Sequence, residues 1–348
     1  MKIAILTEGG KNIGFGHITR CVALLEGLKK AAGRRVAGMF VINNDRRAVR
    51  FLESQGVRLT AFDWIEKRKK TAGILKGADL VIIDSYFAPP SFYSFLSHKT
   101  KDTHPFVVAI DDYKRIEYDA DLVINPSIYG DALSYAPGRE HRAGRRPEYL
   151  LGRSYIIVRR EFWNVPRKKI NKKIRNVLVS FGGKDYDPFT EAVFTFLETE
   201  FPHLAYDVVA PSRPAGLSRS RFRFYSNVSA AKMRSLMLKA DLCISAGGQT
   251  LHELARCGVP AASICFADNQ VKNLKGWEKI GFAKYVGWYD DRNVFARLGR
   301  AVCALSPYKE RLLRSRIGRR IAAKGVERIS RVLLTKTALK QKETAHES

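Results

Sequence analysis

Acidic residues are scarce: 34 Asp and Glu stand against 61 Lys and Arg in 348 residues, a formal charge of +27. A surface of that sign attracts polyanions, so nucleic acid, nucleotide sugars and anionic lipid headgroups are all compatible partners, and a merely solvated basic surface is equally compatible. No zinc-ligand spacing, aromatic ribonucleoprotein motif or helix-turn-helix signal is present, so no specific nucleic-acid partner is expected. Runs of about 20 apolar residues, the length a membrane span needs, are also missing. The apolar start Ile3–Leu6 is too short for the core of a signal peptide, and a cytoplasmic setting is expected. The five cysteines (Cys21, Cys243, Cys257, Cys265 and Cys303) form no Cys-x-x-Cys pair and sit in apolar segments. That excludes a disulfide framework and a zinc ribbon, and predicts buried thiols.

Hydrophobic residues make up 45% of the chain, enough for well-filled cores, and the length suggests two domains. Short aliphatic runs at Ile3–Leu6, Val36–Ile42, Val57–Phe62, Leu80–Asp84, Phe106–Ile110 and Leu122–Ile124 alternate with amphipathic stretches, the rhythm of a parallel sheet with crossover helices. Ile18, Cys21, Val22, Leu25 and Leu28 fall on one helical face. The rhythm restarts with Val177–Ser180, Tyr206–Val209, Phe222–Tyr225, Leu242–Ser245 and Ala261–Phe266, with helices over Pro188–Glu200 and Ala230–Lys239. The predicted fold is therefore α/β, with two doubly wound, Rossmann-like parallel-sheet domains facing a cleft and a basic C-terminal helix. The expected boundaries are 1–160, a linker over 161–175 whose polar centre is Pro166–Arg175, 176–305, and a basic helix and tail over 306–348. From Lys309 to Lys342 twelve Lys or Arg face two Glu, with Leu313, Ile317, Ile321, Ile329, Val332 and Leu333 at largely four-residue steps. Such a helix either contacts an anionic membrane peripherally or crosses back to the first domain and buries its stripe. Gly130–Pro147, with Arg139, His141, Arg142, Arg145 and Arg146, reads as a basic surface loop.

Three turns carry residues suited to chemistry. Gly14-Phe15-Gly16-His17 lies between the first strand and the first helix, where two glycines let backbone amides approach a ligand. Thr19 stands where a dinucleotide fingerprint has its third glycine, which argues against a nicotinamide cofactor. An imidazole exchanges protons near neutrality, and at the carboxyl end of strand one His17 is suited to act as a general base on water; a packing or capping histidine is the plainer alternative. The second turn, Ala246-Gly247-Gly248-Gln249-Thr250 leading to Glu253, offers helix-terminal amides for a diphosphate and a carboxylate for the two hydroxyls of a ribose, or is simply a capped strand-to-helix turn. The third, Asp268-Asn269-Gln270, bonds a sugar or phosphate, or caps the helix it opens. Asp84-Ser85-Tyr86 and Asp111-Asp112 end strands on the same edge of the first sheet as His17.

Taken together, Gly14–His17 with Arg20-Cys21, Val81–Tyr86, Ile110–Asp112, Leu151-Gly152, Val179–Gly183, Ala246–Gly248, Glu253, Gly258–Pro260 and Ala267–Gln270 resemble, in order and spacing, the UDP-2,4-diacetamido-2,4,6-trideoxy-beta-L-altropyranose hydrolases of pseudaminic acid biosynthesis. They also resemble related spore-coat polysaccharide proteins, within the N-acetylglucosaminyltransferase-like, glycosyltransferase-B superfamily. The resemblance implies a reaction without metal or other cofactor on a UDP-sugar. It casts His17 as the base that activates water, with Tyr86 and Asn269 bonding the sugar or diphosphate. Gly14, Gly16, Arg20 and Asp84 would line the sugar side, and Gly182, Gly183, Gly247, Gly248, Gln249, Thr250, Glu253 and Gln270 the nucleotide side. His252, next to Glu253, is expected to be a surface or packing residue rather than a second base. The implied activity is hydrolysis to UDP and free sugar for surface glycans; the alternative is a glycosyltransferase that passes the sugar to a lipid-linked or glycan acceptor.

Overall fold

The computed structural model describes residues 1–10, 13–33, 36–98, 105–135, 146–182, 187–210, 221–321 and 324–347. Gly183 and residues 136–145 of the basic loop lie outside them. In chain order the first elements are β1 (Lys2–Thr7), α1 (Gly16–Ala32), β2 (Ala37–Ile42), α2 (Arg46–Ser54), β3 (Arg58–Ala61), α3 (Arg68–Leu75), β4 (Leu80–Asp84), α4 (Pro90–His98), β5 (Phe106–Ile110), β6 (Leu122–Asn125) and β7 (Glu148–Leu151). Then follow β8 (Asn176–Ser180), α5 (Asp187–Glu200), β9 (Ala205–Val209), β10 (Phe222–Tyr225), α6 (Ala230–Lys239), β11 (Leu242–Ala246), α7 (Thr250–Cys257), β12 (Ala261–Cys265), α8 (Asp268–Lys279), β13 (Ala283–Trp288), α9 (Val294–Leu305), α10 (Tyr308–Ile321) and α11 (Gly325–Glu347).

The chain divides into two compact units, Met1–Ile157 with Lys324–Ser348, and Val158–Ala323. In the first unit seven parallel strands run in the order β3-β2-β1-β4-β5-β6-β7. The second sheet has six parallel strands in the order β10-β9-β8-β11-β12-β13. Strands such as Leu80–Asp84 are buried along their whole length, as a parallel sheet covered on both faces requires. Local signals set the helix ends. Asp45 caps α2 by accepting from the amides of Arg47 (2.9 Å) and Ala48 (3.0 Å), and Gly258 closes α7 in the left-handed region at φ 72°. Each sheet reverses its winding direction at one point, between β1 and β4 in the first unit and between β8 and β11 in the second. Doubly wound sheets bind ligands outside the carboxyl ends of the strands at that switch.

Three expectations about organisation change. Residues 161–175 are tethered into the second unit rather than forming a linker. The carboxylate of Asp241 accepts from Asn171 Nδ2 (2.8 Å) and from the amides of Arg175 (2.9 Å) and Asn176 (3.1 Å), and Lys168 donates to the Leu238 carbonyl. The single basic helix expected after residue 306 is two helices belonging to different units. α10 packs in the second, where Arg311 donates to the Lys172 carbonyl (3.0 Å) and Arg314 to that of Gly281 (3.0 Å). α11 packs on α1 of the first, burying Val326, Ile329 and Leu333. Its polar side chains bind there too, Lys340 to Asp121 (2.8 Å) and Gln341 to Asp79 (2.6 Å). Of the cysteines, four are buried as expected, but Cys303 is exposed. α9 turns Leu298, Ala301, Val302 and Leu305 inward, so position 303, about 100° on from 302, faces out.

Candidate active site

The first site forms at the switch point of the first sheet. After β1, Gly10 and Gly14 pair through reciprocal backbone bonds (Gly10 N to Gly14 O 3.1 Å, Gly14 N to Gly10 O 2.8 Å). Gly14 stands at φ 83°, a conformation that favours glycine, and nothing lies within 4 Å of where a side chain would begin. The turn delivers His17 to the first turn of α1, 4% exposed. His17 Nδ1 lies 2.6 Å from Asp84 Oδ1 at the end of β4. An ionised carboxylate only accepts, so Nδ1 carries the proton of that bond, and in the neutral imidazole Nε2 is then the nitrogen with the lone pair. Nε2 makes no hydrogen bond to a described group. This is the arrangement in which an orienting carboxylate fixes the tautomer of a basic imidazole.

Asp84 is held in turn by Arg20, one helical turn after His17. Arg20 Nε reaches Asp84 Oδ2 and Nη2 reaches Oδ1, both at 2.6 Å. The same guanidinium bridges to Asp112, just past β5, at 2.6 Å and 3.0 Å. Burial alone would raise both carboxyls, but the Arg20 charge overcomes it and keeps Asp84 and Asp112 below the usual carboxylate range. Burial disfavours the charged guanidinium as well, yet the two aspartates raise its affinity for its proton. Arg20 Nη2 also lies 3.2 Å from His17 Nδ1; both atoms carry hydrogen, so this is a close approach rather than a bond. Tyr86 donates its hydroxyl to Asp112 Oδ2 at 2.5 Å, and its ring stands edge-on to His17, centroids 4.2 Å apart.

The segment carrying Tyr86 is anchored by Glu8, a residue the motif reading left without a role. Glu8 accepts from Ser85 Oγ and from the Tyr86 amide, each at 2.6 Å. Burial pushes its carboxyl above the ordinary glutamate range, and the hydrogen bond from Ser85 only partly offsets that. A lone acidic residue directly after a buried strand at the switch point was the available signal. Asp111 and Asp112, neighbours in sequence, do different work: Asp111 shapes the following loop by accepting from the Lys114 amide (2.7 Å) and the Tyr118 hydroxyl (3.0 Å). Arg20 binds Asp84 and Asp112, and Asp84 binds Arg20 and His17, because a buried charge needs its partners.

The second site occupies the corresponding switch point of the other sheet. Gly182 after β8 is exposed at φ 91°, and Gly247-Gly248 follow β11 into α7. The amides of Gly248, Gln249 and Thr250 hydrogen-bond to no described group and lie at the positive end of α7. Gly247 is different. Its amide is taken by Gln270 Oε1 (3.2 Å), which also accepts from the Phe266 amide (3.1 Å), and its carbonyl by Asn273 Nδ2 (2.7 Å). A side chain on Gly247 would meet Leu274 at 2.6 Å. Gln270 and Gly247 therefore brace the turn. Gln249 turns its side-chain oxygen to His252 Nδ1 (3.1 Å), and His252 is buried with its ring against Trp277, a packing residue rather than a surface one. Asn269 is exposed in the first turn of α8. Glu253 is buried, and both its oxygens are held by Arg159, Nε to Oε1 at 2.5 Å and Nη2 to Oε2 at 2.7 Å. Sequence reasoning missed Arg159, which lies 94 positions from its partner with no local motif around it. Among the described residues no cluster of three or more His, Cys, Asp or Glu has the arrangement of a metal site.

Two doubly wound parallel sheets, each with one switch point, make up the glycosyltransferase-B fold. The spinosyn forosaminyltransferase SpnP shares it, at TM-score 0.67 and 12% identity over 96% of this chain and 99% of that one. No family model matches the chain. Among curated proteins it is 27% identical over 352 residues to the spore coat polysaccharide biosynthesis protein SpsG of Bacillus subtilis, covering 96% of this chain and 98% of that protein. It is 25% identical over 287 residues to the pseudaminic acid cytidylyltransferase and UDP-2,4-diacetamido-2,4,6-trideoxy-beta-L-altropyranose hydrolase of Helicobacter pylori, covering 82% of this chain and 48% of that protein. The chain thus spans about half the length of two of the curated relatives it matches.

Proposed function

We propose that this chain hydrolyses a UDP-linked 2,4-diacetamido-2,4,6-trideoxy sugar to UDP and the free sugar, a step in making a nonulosonic acid of the pseudaminic type for surface glycans. The observation that carries the reading is the His17 to Asp84 bond, which leaves Nε2 as the basic nitrogen. Nε2 takes a proton from water as the water oxygen bonds to the anomeric carbon; the bond from that carbon to the UDP oxygen breaks, and the sugar is released with inverted configuration. Base catalysis of this kind contributes about 100-fold to 10,000-fold. The leaving diphosphate is met by the amides of Gly248, Gln249 and Thr250 and by Asn269, with Gly182 alongside, and Glu253 accepts the ribose hydroxyls. Helix-terminal amides stabilise the charge that develops on the departing oxygen. Tyr86 faces the sugar beside His17, while Arg20 and Asp84 act through the imidazole. Of the two activities in the Helicobacter protein's name, the hydrolytic one is the one His17 serves.

A glycosyltransferase remains the second reading, favoured by the transferases that share the fold. The feature that would have drawn a transferase to a lipid acceptor, the apolar stripe of the basic helix, is partly occupied: Ile329 and Leu333 pack within the first unit together with Val326, while Leu313 on α10 is exposed. Incubation with the UDP-sugar and no acceptor separates the two. Hydrolysis predicts UDP and free sugar in equal amounts, abolished by His17→Ala. UDP release that begins only when a membrane fraction is added transfers the argument to the second reading.

A further inference from the structure

We infer that Arg159 positions Glu253 as the acceptor for a ribose diol, and thereby gives the second unit its preference for a ribonucleotide. The inference rests on the UDP reading above. Glu253 sits in the first turn of α7, 5% exposed, where an unpaired carboxylate is costly. Arg159 meets it as a fork, one N–H to each oxygen. Each carboxylate oxygen offers two acceptor positions, so a bidentate guanidinium leaves one on each. Two acceptors on neighbouring atoms are what the vicinal 2′ and 3′ hydroxyls require.

Arg159 is built in rather than draped over the site. Its guanidinium lies over the Phe162 ring at 5.4 Å. The backbone immediately after it is tied to the helix that carries Glu253: Arg256 of α7 donates to the carbonyls of Phe162 (2.9 Å) and Trp163 (2.7 Å). From α6, Arg234 donates to the Glu161 carbonyl at 2.8 Å. The carboxylate and its fork are thus fixed on two segments joined at several points, a preorganised acceptor that pays little to receive the sugar. Burial holds Glu253 above the ordinary glutamate range and Arg159 pulls the other way, so the fork also favours the ionised form that can only accept.

The test is calorimetric titration of the full chain with UDP and with 2′,3′-dideoxy-UDP, for the unaltered protein, Arg159→Gln and Arg159→Lys. The unaltered protein is expected to prefer UDP by about 100-fold or more, since each hydroxyl lost from a charged acceptor is worth at least about tenfold. In Arg159→Gln that ratio falls toward one, and Arg159→Lys keeps part of it. The ratio does not depend on the fraction of a variant that is folded. A purely structural Arg159 would leave the ratio at its original value, and an arginine that competes with ribose would, when removed, tighten UDP binding; either result overturns the inference. Preference absent from the unaltered protein despite firm UDP binding also overturns it, while failure to bind UDP at all removes the nucleotide reading beneath it.

Discussion

Asp84 is the residue on which the first site turns, since it orients His17 and takes half of Arg20. Asp84→Asn should lower kcat by about 100-fold to 10,000-fold with KM little changed, because the amide no longer demands the tautomer that leaves Nε2 basic. Steady-state assays of UDP release read this directly. The same residue governs acid stability. Asp84 and Asp112 have folded-state values below their unfolded ones, so their contribution is complete above the ordinary carboxylate range and is lost as pH falls through it. Glu8 and Glu253, raised by burial, run the other way: the stability tied to their protons is present in acid and declines as pH rises above the ordinary glutamate value. Urea unfolding from pH 7 to pH 3 should show Asp84→Asn less stable at neutrality by about 3 kcal/mol, since Arg20 loses a buried partner, and less sensitive to acid than the parent. At this scale the sequence made His17, Tyr86, Asp84 and Glu253 legible by type and place. It did not reveal that Arg20 and Asp84 are consumed by each other, because pairing between positions 64 apart leaves no local pattern.

At the scale of elements, the nucleotide turn depends on a brace from the next helix. Gln270→Ala removes the acceptor shared by the Gly247 and Phe266 amides and should weaken UDP binding by roughly tenfold with little effect on the first unit. Helix packing gives a sharper contrast between two glycines. A side chain on Gly27 of α1 would meet Val326 at 2.3 Å and Ser330 at 2.7 Å, so Gly27→Leu should cost about 1 to 3 kcal/mol in thermal or urea unfolding. Gly73 in α3 has nothing within 4 Å, and Gly73→Ala should stabilise by about 0.5 to 1 kcal/mol. Most strands were readable from β-branched runs, and α6 falls on its predicted residues. β13 was not, because Gly287, at φ 126°, and a shift in register beside Ile264 interrupt its alternation. β7 is four residues at the sheet edge, too short to carry a pattern of its own. The division between α10 and α11 was hidden because both helices are amphipathic and the four-residue stripe runs on across them. Lys324 at φ 67° marks the break, and so does Gly325, where a side chain would meet the Ile156 carbonyl at 1.9 Å.

For the whole molecule, the two-sheet architecture was legible from the restart of the β-α rhythm, whereas the assignment of segments to units was not. Polar composition at 161–175 suggested solvent exposure, yet Asp241 gathers that stretch into the second unit. The charge of +27 remains a property of the surface as a whole. Because α11 buries Val326, Ile329 and Leu333, adsorption to vesicles should depend chiefly on charge. Co-sedimentation is expected with anionic vesicles at low salt, to vanish by about 0.5 M salt, and to be absent with neutral vesicles. Salt-resistant binding would show instead that exposed apolar side chains such as Leu313 and Leu339 take part. The central claim is that His17, oriented by Asp84, activates water against the anomeric carbon of a UDP-sugar. It is tested most directly by turnover in ¹⁸O-labelled water followed by mass spectrometry of both products. The account predicts label in the free sugar, unlabelled UDP, and no labelled product from His17→Ala. Label in UDP would mean attack at phosphorus, and labelled sugar formed undiminished by His17→Ala would remove the histidine from the mechanism.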